Sequence, residues 1–283
     1  MDFIEILKAI FLGIVEGITE WLPISSTGHM ILVDEFISLN VSDAFKEMFF
    51  VVIQLGAIAA VPVLFWNKIN PFSRKKTSAE KRSTWNLWGK VIVGVLPAAI
   101  LGLLLDDFFD THFYNYVVVS VALIVYGVAF ILVEHFKKGK EYRVDDVNDL
   151  TYKDALIIGA FQVLSLIPGT SRSGSTILGG MLTGVSRVAS AEFSFFMAIP
   201  VMLGASLLKV LKFVKEVSDG AVAVSGGEVG LLIIAMAVSF AVSLIAIKFL
   251  MDFVKRHSFS PFGVYRIVLG AIVIGYFVIN TFV

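Results

Sequence analysis

The stretch Gly13-Ile14-Val15-Glu16-Gly17-Ile18-Thr19-Glu20-Trp21-Leu22-Pro23-Ile24-Ser25-Ser26-Thr27-Gly28-His29 decides how this chain is read. It starts as an apolar helix, sets two glutamates one turn apart, and breaks at a proline into hydroxyls and an imidazole. Carboxylates facing lipid are costly, and ionisable groups at membrane depth are functional candidates by default. Non-helical backbone at that depth survives only against protein or a water-filled cavity. The segment from about 3 to 36 is therefore expected to form a re-entrant hairpin opening onto a polar cavity. Paired glutamates inside what would be its apolar region argue strongly against a cleaved signal peptide.

Outward from this stretch, the chain is membrane material. Of its 283 residues, 57% are hydrophobic and only 16% charged, and its mean hydropathy is +0.87. Soluble domains carry about a quarter charged residues. Crossing ~30 Å of hydrocarbon takes about 20 helical residues. Six runs qualify, at roughly 44–66, 87–105, 116–135, 190–212, 229–250 and 263–282. A seventh, 153–167, stops at Pro168-Gly169 and runs into Thr170-Ser171-Arg172-Ser173-Gly174-Ser175-Thr176, so 153–186 is expected to be a second re-entrant hairpin. Lys plus Arg and Asp plus Glu are 23 each, which leaves no net charge to hold nucleic acid. The absence of cysteine removes disulfides, thiol nucleophiles and thiolate metal sites.

The two breaks belong to a repeat. At an offset of 146, Gly13, Glu16, Ser25 and Gly28 fall on Gly159, Gln162, Ser171 and Gly174. At an offset of 144, Val41-Ser42 and Phe49 match Val185-Ser186 and Phe193. The fold class expected is an all-α polytopic membrane protein in one membrane domain, 1–283. Halves 1–145 and 146–283 each hold one hairpin and three spans. An odd number of spans turns the halves into an inverted-topology repeat. Lys68, Arg74, Lys75, Lys76, Lys81 and Arg82 crowd one loop, and Lys137, Lys138, Lys140, Arg143 and Lys153 crowd 136–153, so both loops are expected in the cytoplasm. The loop from Asp106 to Asn115 has three aspartates and no Lys or Arg, so both termini are expected outside. The first hairpin then dips in from the outer face, the second from the cytoplasm, and their tips meet near the midplane.

Chemistry is expected at those tips. Glu16 and Glu20 stack on one helical face about 6 Å apart. Like charges this close need a proton or a cation between them. Mg²⁺ or Ca²⁺, which favour oxygen ligands, would serve, and a structural pair with one carboxyl protonated is the competing reading. Ser25, Ser26, Thr27 and His29 gather hydroxyls and a base, with His29 three residues from Ser26, or they merely cap a second half-helix. Arg172 offers a planar fork that matches phosphate bidentately among neighbouring hydroxyls, unless it is only a cytoplasmic loop charge. The spacing is not a Walker loop. His112, His135 and His257 lie at span ends. Trp21, Trp66, Trp85 and Trp88 read as an interfacial aromatic belt, and Gly94, Gly204 and Gly270 as close-packing positions. The 68–82 charges could attract anionic lipid, although topology alone accounts for them.

Glu16-x3-Glu20, Leu22-Pro23-Ile24-Ser25-Ser26-Thr27-Gly28-His29 and Pro168-Gly169-Thr170-Ser171-Arg172-Ser173-Gly174-Ser175-Thr176 resemble the motifs of the undecaprenyl-pyrophosphate phosphatase family associated with bacitracin resistance. The likeness covers essentially the whole chain. It implies a bacterial plasma-membrane enzyme that hydrolyses a polyprenyl pyrophosphate lipid to the monophosphate, recycling the carrier for cell-wall synthesis, with its site open to the outer face. By motif position it implies catalytic Glu20, Ser26, His29 and Arg172 and a divalent cation (Mg or Ca) on Glu16 and Glu20. Phosphate contacts are expected from Ser25, Thr27, Ser171, Arg172, Ser173 and Thr176. Whether Ser26 or His29 attacks phosphorus stays open, as does a homodimer. The other partners expected are membrane lipids, and no nucleic acid. The rival reading is a polyprenyl-phosphate flippase or another transporter, since inverted repeats with broken helices also build alternating access. The divergence of Glu16 and Glu20 into Gln162 and Leu166 in the second copy favours a single catalytic centre.

Overall fold

A computed structural model describes residues 2–113 and 115–282. Its ten α-helices are α1 (Phe3–Thr19), α2 (Ser26–Phe36), α3 (Asp43–Ile69), α4 (Ser78–Phe113), α5 (Tyr116–Lys137), α6 (Tyr152–Val163), α7 (Arg172–Leu182), α8 (Arg187–Ser218), α9 (Gly226–Arg256) and α10 (Ser260–Phe282). Among the described residues there is no strand, only one isolated bridge between Val144 and Val185. Among the described residues six helices are long and apolar enough to cross a membrane: α3, α4, α5, α8, α9 and α10. These are the six runs read from sequence. Their outward side chains fit a lipid solvent, with Leu104 73% and Ile245 70% exposed. The chain is a multi-pass membrane protein.

Helix starts follow from capping. Ser42 and Ser186 each accept from the backbone N–H three residues on and open α3 and α8. Thr151 and Ser225 form reciprocal capping boxes with Asp154 and Glu228. Both expected interruptions are present as helix, turn, helix. α1 ends at Thr19 and α2 begins after Ser25, while α6 passes through a short 3₁₀ turn before α7 begins after Ser171. Ser25 and Ser171 are also the described non-glycine residues with positive φ, 73° and 74°. Each caps its helix by accepting from the glycine N–H three residues on. Equal strain at the 146-residue offset says both turns are held by their surroundings.

Small residues set the helix spacing. A Cβ on Gly13 would lie 2.6 Å from the Ala235 carbonyl, and one on Gly17 2.8 Å from that of Ser239, so α1 lies against α9. Gly159 packs on Gly94 and brings α6 against α4 in the same manner. Gly127 and Gly263 face each other reciprocally, each 2.6 Å from the other's carbonyl once given a Cβ, which joins α5 to α10. Gly270 extends that seam, whereas Gly204 faces open space and does no packing. Ion pairs fix α3 against α8: Lys68 on Glu192 at 2.7 Å near one end and Lys209 on Glu47 near the other.

Two further expectations change. Trp21 is not interfacial: it is fully buried, edge-on to Phe195 at 5.2 Å, because the first turn folds back into the protein core. Trp66 and Trp85 remain over half exposed. The segment 106–113, read as a loop, continues α4 as helix. It contains neither proline nor glycine, and leaving hydrocarbon removes the need for apolar side chains without breaking backbone hydrogen bonds.

Candidate active site

The two turns meet. Glu20, just past α1, carries the first half of the site and Arg172, the first residue of α7, the second. Arg172 Nη2 donates to Glu20 Oε1 at 3.1 Å across 152 residues of sequence. Both side chains are nearly buried, 10% and 6% exposed, so Arg172 is not a loop charge in water. Its Nη1 donates to the Ser194 carbonyl on α8 at 2.7 Å, which holds the guanidinium plane. The other Glu20 oxygen, Oε2, accepts from the Ser26 hydroxyl at 2.8 Å. Guanidinium, carboxylate and serine thus form one continuous chain.

This chain lines a polar pocket of about 140 Å³, walled by Glu20, Ser26, Thr27, Gln54, Ser171 and Arg172 and closed on one side by Val201 and Met202 of α8. A larger cavity of about 360 Å³ lies elsewhere, between the α3–α4 loop and α8, and its walls are almost entirely apolar. Volume alone would select the second; charge and hydroxyl chemistry select the first.

Other predicted residues are buried nearby without lining the pocket. Ser25 caps α2. Ser173 donates to the Glu20 carbonyl at 3.2 Å, tying the second turn to the first. Thr176 donates to Ser194 Oγ at 2.7 Å. Glu16 is 1% exposed, and its Oε1 has no hydrogen-bond partner.

His29 is oriented away from the expected pairing. Its Nδ1 meets the Ser25 carbonyl at 2.7 Å and its Nε2 the Tyr265 hydroxyl at 2.7 Å. A carbonyl only accepts, so Nδ1 carries the ring proton and Nε2 of the neutral ring accepts from Tyr265. The hydroxyl of Ser26 is bonded to Glu20 rather than to this imidazole.

Sequence reasoning missed Gln54, Ser194, Tyr265 and Arg266. The last is 0% exposed on α10. It donates to the Pro23 carbonyl of the first turn at 3.0 Å and to the Gly169 and Thr170 carbonyls of the second at 2.9 Å each. Its guanidinium also stands 5.5 Å from the centre of the Tyr126 ring. An arginine inside an apolar run was the available signal. Tyr265 and Ser194 had none, because nothing in their own segments links them to His29 or Arg172.

Which cation the site could take follows from its donors. Among the described residues no three His, Asp or Glu side chains converge on one point. Two carboxylates remain, and the unpartnered oxygen of Glu16 suits either a proton or a hard cation. Mg²⁺ commonly binds through one or two carboxylates, with waters and substrate phosphate oxygens completing its shell, so the residues fit such an ion.

Comparison with known proteins adds the family. The model for "Bacitracin resistance protein BacA" matches residues 9–272. An "Undecaprenyl-diphosphatase" from Enterococcus faecalis is 59% identical over 97% of this chain and 98% of its own length. Proteins of that name from Desulfitobacterium hafniense and Streptococcus mutans are each 56% identical, over all of both chains for the former and over 98% of this chain and 97% of its own for the latter. With both turns, the six spans and nearly every residue inside that match, the chain belongs to the bacitracin resistance protein BacA family.

Proposed function

We propose that this chain is a membrane phosphatase that hydrolyses undecaprenyl pyrophosphate to undecaprenyl phosphate and inorganic phosphate. The observation that carries the reading is the Arg172–Glu20–Ser26 chain, assembled over a polar pocket from two turns distant in sequence. The names of the close relatives support the same substrate.

Phosphoryl transfer depends mostly on positioning and on stabilising charge around phosphorus. Arg172 and Ser171 bind the terminal phosphate, with the Thr27 hydroxyl beside them. Ser26 Oγ attacks the terminal phosphorus and passes its proton to Glu20, to which it is already bonded. The bond from phosphorus to the bridging oxygen breaks, and the polyprenyl monophosphate leaves. Water then hydrolyses the phosphoserine and releases inorganic phosphate. His29 is held by Tyr265 and the Ser25 carbonyl, and it moves a proton to a departing oxygen or from water once its Nε2 exchanges the Tyr265 hydroxyl for that partner. Ser25, Ser173 and Thr176 hold the turns rather than the phosphate. A divalent cation (Mg or Ca) held by Glu16 and Glu20 would neutralise pyrophosphate charge.

In this reading the two helix–turn–helix units are re-entrant hairpins of an inverted repeat, 1–145 and 146–283, supported by the matched Ser25 and Ser171 caps and the reciprocal Gly127–Gly263 contact. The site opens to the outer face of a bacterial plasma membrane, where the spent carrier is produced. The test is phosphate release by the purified chain from a polyprenyl pyrophosphate. Release with a polyprenyl monophosphate product is expected. Transbilayer movement of the lipid without phosphate release would overturn the assignment.

A further inference from the structure

The larger cavity has no part in the phosphatase reading. It measures about 360 Å³, within the range of small-molecule pockets at roughly 300–1,000 Å³. Pro62, Trp66, Phe72, Trp85, Trp88 and Ile199 form its walls. Phe72 stands edge-on to Trp85 at 5.6 Å, and Trp88 Nε1 donates to the Ile69 carbonyl at 2.8 Å, so the walls are mutually braced. The cavity sits where α3 and α4 leave the hydrocarbon. Tryptophan at that level anchors to the headgroup region of a leaflet.

The α3–α4 connection, which gives Asn70, Pro71 and Phe72 to the cavity wall, is basic. Six cations, Lys68, Arg74, Lys75, Lys76, Lys81 and Arg82, face one anion, Glu80. Lys68 is neutralised by Glu192. Lys76 is turned inward, donating to Thr84 Oγ1 at 2.7 Å and to the Lys68 carbonyl. Glu80 is occupied by Thr77, accepting from its N–H and its hydroxyl. Among the described residues, the side chains of Arg74, Lys75, Lys81 and Arg82 are left with neither a hydrogen bond nor an ion pair within the protein. An apolar slot whose lining residues Phe72 and Trp85 are flanked in sequence by these cations matches the two ends of one molecule.

We propose that this cavity is a binding site for an anionic phospholipid, with an acyl chain between Trp66, Trp85 and Ile199 and the phosphate against Arg74, Lys75, Lys81 and Arg82. Charge complementarity selects an anionic headgroup over a zwitterionic one. A basic residue beside a membrane surface is worth roughly a fivefold preference for anionic lipid, so several acting together should exceed that. The same loop residues would satisfy the positive-inside rule without any such site, and the test separates the two.

The full chain is reconstituted in phosphatidylcholine bilayers containing a fixed minor fraction of acyl-brominated phosphatidylglycerol or phosphatidylcholine, and tryptophan quenching is read. Trp21, fully buried, serves as the internal unquenched reference, and Trp66→Phe and Trp85→Phe assign the quenched signal. The expected result is quenching by the anionic lipid at least about fivefold more effective than by the zwitterionic one. That preference should fall as salt rises from 0.1 to about 1 M, where the screening length shrinks to ~3 Å. It should vanish when Arg74, Lys75, Lys81 and Arg82 are all replaced by Gln. Equal quenching by the two lipids, or a preference insensitive to salt, would overturn the site. So would release of the brominated lipid by stoichiometric polyprenyl phosphate, which would assign the slot to the substrate tail. The salt titration uses the unmodified chain, so an inserted-backwards or unfolded variant does not blunt the test.

Discussion

Replacing Arg266 tests whether the two turns act as one site. Three short hydrogen bonds from a buried guanidinium join Pro23 to Gly169 and Thr170. Arg266→Met removes them and leaves three buried carbonyls unpaired, each costing ~1–3 kcal/mol. With partial relaxation, a loss on the order of 3–5 kcal/mol is expected, comparable to breaking a buried ionic network. Arg266→Lys is the sharper perturbation. It keeps the charge, but Nη1 serves the first turn and Nη2 the second, and a single ammonium cannot occupy both places. One turn stays anchored and the other drifts. A misplacement near 1 Å can cost about 10²-fold in rate, so the Lys variant should lose roughly that factor in kcat while KM stays within a few fold. The assay is phosphate release from a polyprenyl pyrophosphate at matched amounts of monodisperse protein, with thermal unfolding recorded in parallel. Near-wild-type turnover by a folded Arg266→Lys would refute the idea that this arginine registers the turns.

Four other outcomes are expected. Arg172→Lys should fail nearly as badly as Arg172→Ala, by roughly 10²-fold or more in kcat, because Nη1 and Nη2 hold Ser194 and Glu20 separately; turnover of both variants at equal folded protein decides it. Chelation should abolish phosphate release, and added Mg²⁺ or Ca²⁺ should restore it. Glu16→Gln should shift the metal titration to higher concentration, whereas full activity in EDTA would remove the cation from the reading. A cysteine at Asn115 should react with an impermeant thiol reagent applied outside the cell and one at Ser78 should not; the reverse labelling would invert the orientation. Gly56→Ala would set a Cβ 2.2 Å from the Met236 carbonyl, so the α3–α9 seam should open at a cost of about 1–3 kcal/mol, read as a lower unfolding temperature.

How much of this was legible beforehand depended on the range of the physics involved. The six spans were, because bilayer thickness demands some 20 apolar residues in a row and that demand is met within each segment. The two interruptions were as well, since Pro23 and Pro168-Gly169 act on neighbouring backbone. At Gly169, with φ of 88°, a Cβ would also strike the Val119 carbonyl at 2.6 Å; proximity to α5 could not be read from the motif. The residue types for phosphate chemistry stood out because charges and hydroxyl clusters are anomalous in apolar sequence.

Pairing was a different matter. Sequence distance joined His29 to Ser26, three residues away, but the strained φ of 73° at Ser25 directs the start of α2 so that Ser26 meets Glu20 and His29 meets Tyr265, 236 residues on. Arg172 was readable as a phosphate ligand, with a loop charge as the alternative, until the start of α7 was seen bonded to Glu20 at the end of α1. Trp21 had the composition of an interfacial anchor and lies in the core. By itself the sequence determined which segments live in hydrocarbon, where they break, and which side chains are available for chemistry, because each of these is settled within a turn or two of the backbone. Only the tertiary structure decided who bonds to whom. Glu20 with Arg172, and Arg266 with both turns, are contacts between segments that approach only when glycine-lined helices close on one another, and no local pattern encodes that closure.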